Sequence, residues 1–340
     1  MRRGGPVSDY RTQARPCPYA EAMGRPFSER VAHDDWRHSA ERWTHAELAR
    51  QGITVTGRVE QPRIRPWSTQ LTVPTDAGRI WFKANCASMS FEPALQVELA
   101  RLAPEDVDEP FAVDLERGWM LTLDRGATLG DASEPDAHDW RRVLRGAAAL
   151  QRVAADHGPT LIAAGLPDCR PATVVGRFDR FVDVLSSLPA EHPAHVPDDL
   201  RAQLVDARPR LVDAVDLLTE SSLPTTWQHG DLHPWNVFAD TGRFFDFGDG
   251  QWAHAAELLS VPEAWISRQP AVSWPDVLEA YGEAWDVSPD DLAAQLRAAS
   301  LTQPVNRTLV WWGCLQEATA AEWTQWGDGV LHHLTRVLEP

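Results

Sequence analysis

The residues best suited to chemistry lie between Trp227 and Asp249, where Asp231, Asn236 and Asp246 carry oxygen-bearing side chains among apolar and turn-forming neighbours. Asn236 to Ala239 and Arg243 to Phe247 read as two short strands. Asp240-Thr241-Gly242 between them has the composition of a three-residue hairpin loop with glycine in the left-handed position. Counting outward from that loop puts Phe238 opposite Phe244 and Asn236 opposite Asp246, unless a bulge slips the register by one. Cross-strand β-carbons lie about 4.5–5.5 Å apart, so an amide oxygen and a carboxylate converge. Hard oxygen ligands of this kind suit magnesium, which takes one or two carboxylates and fills its shell with water and substrate phosphates. Asp231 precedes Asn236 in a loop bent by Gly230 and Pro234, placed to reach the same centre. A carboxylate there can take a hydroxyl proton while the metal neutralises charge on phosphates.

A second signal is compositional. Lys83 is the single lysine among 32 basic residues. In so arginine-rich a chain, this position reads either as the chance survival of one lysine or as a site that needs a compact ammonium on a slim stem, a point charge for phosphate oxygens that a planar guanidinium does not replace.

The elements that must hold these residues fall into two parts. Residues 1–34 mix Arg, Pro and Gly without periodicity and predict a poorly ordered arm. Asp34 or Asp35 caps a helix through Trp36, Ala40, Trp43 and Leu48, stopped by Gly52. Ile53–Val59, Ser68–Val73 and Arg79–Asn85 read as strands, with a turn at 75–78. A helix follows from Ser90 to about Ala103, then a strand Trp119–Leu123. Beyond it the pattern is helical: 136–155, 178–188, 198–218, and from about Trp274 to the end. Residues 35–123 thus form a small antiparallel sheet with a helix, and 124–340 a larger, mainly helical lobe.

The run His229-Gly230-Asp231-Leu232-His233-Pro234-Trp235-Asn236, followed by Asp246-Phe247-Gly248-Asp249, resembles the catalytic signature HGDxHxxN…D of aminoglycoside phosphotransferases, choline kinases, homoserine kinases and fructosamine kinases. That resemblance implies an α+β, bilobal, protein-kinase-like fold and a magnesium-dependent kinase that moves the γ-phosphoryl group of ATP, or of GTP, to a hydroxyl of a small molecule. It makes Asp231 the base, Asn236 and Asp246 the metal ligands, and His229 a support for the loop. Lys83 matches the lysine that binds α- and β-phosphates, with Glu92, or alternatively Glu98, as its partner on the next helix. The strand Trp119–Leu123 resembles the hinge that bonds adenine, which puts Leu123 at the base. A glycine-rich loop is missing: Arg65-Pro66-Trp67-Ser68-Thr69 stands in its place, leaving phosphate contact there to backbone N–H groups and Ser68.

Two rivals remain on sequence grounds: a catalytically silent relative that binds nucleotide or another ligand, and a metal-dependent hydrolase using His229, Asp231 and His233 as ligands. Bulk composition narrows the rest. An apolar content of 43% over 340 residues fits a globular protein. A formal charge of −17 opposes nucleic acid as the main partner. No apolar run is long enough to span a membrane, and the arginines of residues 1–12 lead into no apolar segment, so a cytoplasmic location is expected. The four cysteines are widely spaced and read as idle thiols. Of the sixteen tryptophans, seven, from Trp265 to Trp326, crowd the C-terminal third, where most should pack helices. Neither the acceptor nor the oligomeric state is encoded legibly.

Overall fold

The computed structural model describes residues 25–132 and 134–339. Two helices, α1 (Phe27–Ala32) and α2 (Asp34–Arg50), precede strands β1 (Glu60–Ile64), β2 (Ser68–Thr75) and β3 (Gly78–Asn85). After α3 (Glu92–Leu102) come β4 (Ala112–Asp114) and β5 (Trp119–Leu123). These strands make one antiparallel sheet in the order β1-β2-β3-β5-β4.

Helix α2 covers one face of that sheet. Trp36, Ala40, Trp43 and Leu48 recur at helical spacing, which lines them along one side. Trp36 and Trp43 meet Phe82 and Trp119 edge-on, with ring centroids 5.8–5.9 Å apart. Successive side chains of a strand point to opposite faces. Ile80, Phe82 and Ala84 of β3 enter this core, which turns Trp81 and Lys83 to the other face, where a cleft opens.

The rest is mainly helical: α4 (Leu129–Ala132), α5 (Ala137–Ala154), α6 (Gly158–Ala163), α7 (Pro171–Ser186) and α8 (Asp198–Glu220), then α9 (Ser260–Ile266), α10 (Trp274–Trp285), α11 (Pro289–Leu315), α12 (Ala320–Trp326) and α13 (Asp328–Thr335). Between α8 and α9 a two-stranded antiparallel sheet joins β6 (Thr225–Gln228) to β7 (Gln251–His254). One core gathers α5 and α10 around Trp140, Trp227, Phe247 and Tyr281. A second packs α7, α8, α11 and α13 together with α1. This is the two-lobed α+β arrangement expected from the sequence. No helix among the described residues is long and apolar enough to cross a membrane.

Several expectations need correction. The disordered arm does not reach residue 34: Phe27 and Val31, one helical turn apart, are buried in the second core, and the Phe27 N–H donates to Glu317 O at 3.0 Å. Residues 1–24, with Cys17, lie outside the described part. The first strand is 60–64, not 53–59, where Val55 makes one bridge to Thr75. Pro62 lies within β1, and the edge position of that strand tolerates proline. Helix α7 starts at Pro171, well before Phe178. The cap of α2 is His33, whose Nδ1 accepts the Asp35 N–H at 3.3 Å.

Candidate active site

Strand β6 delivers the chain into the loop that holds Asp231. His229, at its end, is fully buried and packs near Trp227 and Phe247. Its Nε2 donates to Phe245 O at 3.0 Å, and its Nδ1 accepts the Asp231 N–H at 3.4 Å. Both bonds need the neutral ring, and burial holds the pKa below the usual histidine value. His229 thus ties the Asp231 loop to the segment carrying Asp246 without facing the cleft. Gly230 sits at φ +79°, and a Cβ there would fall 2.1 Å from Asp249 O. Only glycine fits where these two loops touch.

The Asp231 carboxylate lies 3.4 Å from His233 Nε2 and 3.5 Å from Arg307 Nη2. Burial alone would favour the neutral acid, but these two neighbours outweigh it and hold the group well below the usual carboxylate range. His233 Nδ1 accepts the Trp235 N–H at 3.2 Å, leaving Nε2 to carry the proton toward Asp231. Asn236 is anchored by Nδ2, which donates to Asp231 O at 2.9 Å. Its amide oxygen is thereby free for another partner.

The expected hairpin is present in outline but not in register. Val237 bridges Phe244, the Phe238 N–H donates to Arg243 O at 3.0 Å, and the Phe245 N–H donates to Asn236 O at 3.2 Å. Asn236 therefore opposes Phe245, not Asp246, a slip of one. Two local departures cause it: residues 234–236 form a 3₁₀ turn, and Asp246 adopts φ +64°, the left-handed region that aspartate tolerates better than most residues. Phe238 and Phe245 stack at 4.4 Å and fix the pair.

Across the cleft, Lys83 Nζ lies 2.7 Å from Glu92 and 2.6 Å from Asp246 Oδ1. Burial works against the ammonium, yet the two carboxylates overcompensate and raise its pKa above the ordinary lysine value. The same Lys83 contact helps keep Asp246 below its usual range, again against burial. Glu92 is the partner of Lys83; Glu98 instead pairs with Arg101 on the helix surface. Glu92 also accepts the Phe247 N–H at 2.9 Å and a hydrogen bond from Asn85 Nδ2.

Two adjoining cavities frame these groups. The larger, about 470 Å³, is lined by Trp81, Met120, Leu123, Phe244, Lys83 and Asp246 among others. The second, about 330 Å³, shares Lys83 and Asp246 and adds Asp231, Asn236, Asp249 and Ser68. Of the residues singled out in the sequence, Leu123 lines only the larger space, at the end of β5, and His229 stands behind both. The hydrolase alternative does not fit: both ring nitrogens of His229 are committed within the fold, so His229, Asp231 and His233 do not converge as ligands.

Arg307, on α11, was missed. It pairs with Asp249 and reaches Asp231, joining the two carboxylates. Burial pushes Asp249 up to about 6 despite that partner. A signal was available: between Arg297 and Glu317, Arg307 is the only charged residue in a helical stretch that is otherwise uncharged. Behind it, Asn306 donates to Glu257 at 2.8 Å and to Cys169 O at 3.2 Å, fixing the rotation of α11.

The donor set fits a magnesium ion: Asp246 and the free amide oxygen of Asn236 are hard oxygen ligands on one cavity wall. The same wall offers an ammonium for an anionic group and a carboxylate, Asp231, for a hydroxyl.

Comparison with known proteins gives a family and a fold. Residues 98–297, more than half the chain, match the phosphotransferase enzyme family. No curated protein matches the sequence. Similar solved structures include a macrolide 2'-phosphotransferase from Brachybacterium faecium, at 16% identity and TM-score 0.54, covering 88% of this chain and 98% of that one. Aminoglycoside 2'-phosphotransferase-IIIa in complex with GDP matches at 13% identity and TM-score 0.58, covering 87% and 98%. A choline/ethanolamine kinase family protein from Mesorhizobium loti matches at 16% identity and TM-score 0.55, covering 88% and 95%. At these identities the likeness is one of fold.

Proposed function

The chain belongs to the phosphotransferase enzyme family, and from that premise we propose that it transfers the γ-phosphoryl group of ATP or GTP to a hydroxyl of a small molecule. Residues 35–123 form the nucleotide lobe in this reading, and 124–340 the lobe that binds the acceptor, in a cytoplasmic enzyme. The observation that carries it is the contact chain Glu92–Lys83–Asp246 across the cleft, with Asp231 on the wall of the same cavity.

The base lies in the larger cavity beside Met120 and Leu123, and the phosphates extend toward Lys83. Lys83 trades its contact with Asp246 for phosphate oxygens while Glu92 keeps the ammonium in place. Asn236 and Asp246 hold magnesium, which neutralises charge on the transferring phosphates when bound. Ser68, buried on the wall beside Lys83, contributes a hydroxyl there.

The acceptor oxygen bonds to the γ-phosphorus as the bridging P–O bond breaks and the nucleoside diphosphate leaves. Asp231 orients the hydroxyl and receives its proton. So acidic a carboxylate is a weak base, which suits a loose transition state in which the proton moves late and positioning dominates. His233 and Arg307 keep Asp231 ionised and aimed; His229 and Gly230 keep its backbone fixed.

The test is a transfer screen with ATP and GTP, with magnesium, against amino alcohols, aminoglycosides, macrolides, amino acids and sugars. Acceptor-dependent release of nucleoside diphosphate, with one phosphoryl group gained by the acceptor, is expected. Nucleotide left unbound and uncleaved across such a panel would remove the reading.

A further inference from the structure

Strand β1 breaks its ladder at one place. Glu60 pairs with Thr72, but Arg63, not Pro62, pairs with Gln70. Proline has no N–H to give a ladder, and edge bulges are where it is accommodated. The extra residue turns everything beyond it by one position, and opposed residues of an antiparallel pair share a face. In an unbroken register Arg63 would oppose Thr69, which is fully buried on the α2 side beside Ala84. The bulge instead puts Arg63 in one cross-strand row with Gln70, Lys83 and Met120. Side chains pin it: Gln61 Nε2 donates to Thr69 Oγ1 at 2.9 Å, and that hydroxyl donates to Arg63 O at 2.9 Å.

Arg63 lines the cavity that contains Asp231, Asn236 and Asp246, and not the larger one beside Leu123. Its Nε is buried with no hydrogen-bond partner, whereas Lys83 and Arg307, the neighbouring cations, are both paired with carboxylates. A buried donor left unpaired is unfavourable unless a ligand satisfies it. Two strand spacings, roughly 10 Å, separate Arg63 from Lys83 along the row, a gap that two long cationic side chains can close on one polyphosphate.

Resting on the phosphotransferase reading, we propose that Arg63 binds the terminal phosphate of the nucleotide, doing with a guanidinium fork what the missing glycine-rich turn would do with backbone N–H groups. The planar fork matches phosphate oxygens in pairs, while Lys83 serves the inner phosphates as a point charge.

The experiment measures ATP, GTP, ADP and adenosine binding, with magnesium, to the full chain and to Arg63→Met and Arg63→Lys. Triphosphate Kd should rise tenfold or more in R63M, ADP should suffer less, adenosine should be unchanged, and R63K should recover part of the loss. Unchanged triphosphate affinity in R63M, or an equal loss for adenosine, overturns the assignment while leaving the phosphotransferase reading intact. A wild-type chain that binds no nucleotide overturns both. Phenylglyoxal labelling of the wild-type chain, read by mass spectrometry, is independent of any variant's folding. ATP should protect Arg63 and adenosine should not; equal labelling with and without ATP contradicts the proposal.

Discussion

Glu92 holds Lys83 at 2.7 Å, and with the same oxygen it accepts the backbone N–H of Phe247, next to Asp246. One buried carboxylate therefore sets the position of the ammonium on β3 and of the segment that carries the acid opposite it. Glu92→Ala removes one partner of a buried ion pair and leaves the Phe247 N–H without its acceptor. A loss of about 3–5 kcal/mol is expected in denaturant unfolding. Glu92→Gln keeps an acceptor for Phe247 and should lose far less stability, with turnover reduced about tenfold because Lys83 is no longer held by charge. Equal stability of E92A and wild type would show that the contact does not organise the cleft.

Lys83→Arg preserves charge in a site where the side chain is nearly enclosed between two carboxylates. The larger, planar fork cannot occupy that space and reach phosphate as a point charge. Activity should fall roughly tenfold or more, read as kcat/KM for nucleotide. An unaffected rate would make the single lysine an accident of composition.

Gly230→Ala tests the join between the two loops. Alanine at φ +79° is strained by about 1–3 kcal/mol. Its Cβ would also collide with Asp249 O, so one loop must move. Turnover should drop more than about a hundredfold, a loss out of proportion to the change in unfolding midpoint, since a small misplacement of a catalytic group is enough. A G230A enzyme within twofold of wild type would contradict the loop geometry.

His254 gives a pH dependence of known sign. Burial lowers its pKa to about 4; Nδ1 accepts the Ala256 N–H at 3.3 Å, and Nε2 lies 2.9 Å from Ser221 Oγ. The unfolded chain, with a histidine pKa of about 6.5, takes up the proton first. Stability from this group is therefore full above about pH 6.5 and declines as pH falls toward 4, by up to about 3 kcal/mol. Asp249 and Glu257, raised by burial to about 6 and about 7, act in the opposite direction. The readout is thus the difference between wild type and His254→Gln in chemical denaturation at pH 7 and pH 4.5. That difference should narrow on acidification. A gap independent of pH would mean that His254 is not held neutral.

The contrast between legible and illegible parts of this site follows sequence distance. Asp231, Asn236 and Asp246 fall within one short segment, so turn chemistry alone brings them near one another. The one-residue slip arose because Asp246 takes a left-handed backbone that no strand pattern announces. Strands β2, β3 and β5 carry strong alternation and read correctly. Strand β1, with a proline at an edge, does not, and neither does the β6–β7 pair, whose partners flank the whole segment from His229 to Gly250. Lys83 stood out by being the only one of its kind. Its choice of Glu92 over Glu98 depends on the rotation of α3, which tertiary packing sets. Arg307 reaches Asp231 from a distant helix, a contact that only the assembled fold makes.

The most direct test of the account is Asp231→Ala, assayed with the nucleotide and acceptor that the transfer screen identifies. Removing the group proposed to position the hydroxyl, while leaving Lys83, Asn236 and Asp246 in place, should lower kcat by about a hundredfold to ten-thousandfold. The Kd for the magnesium–nucleotide complex should remain within about threefold of wild type, well under the tenfold that 1.4 kcal/mol represents. Near-normal turnover in D231A would contradict the assignment of the base, and with it the claim that this cleft is built around Asp231.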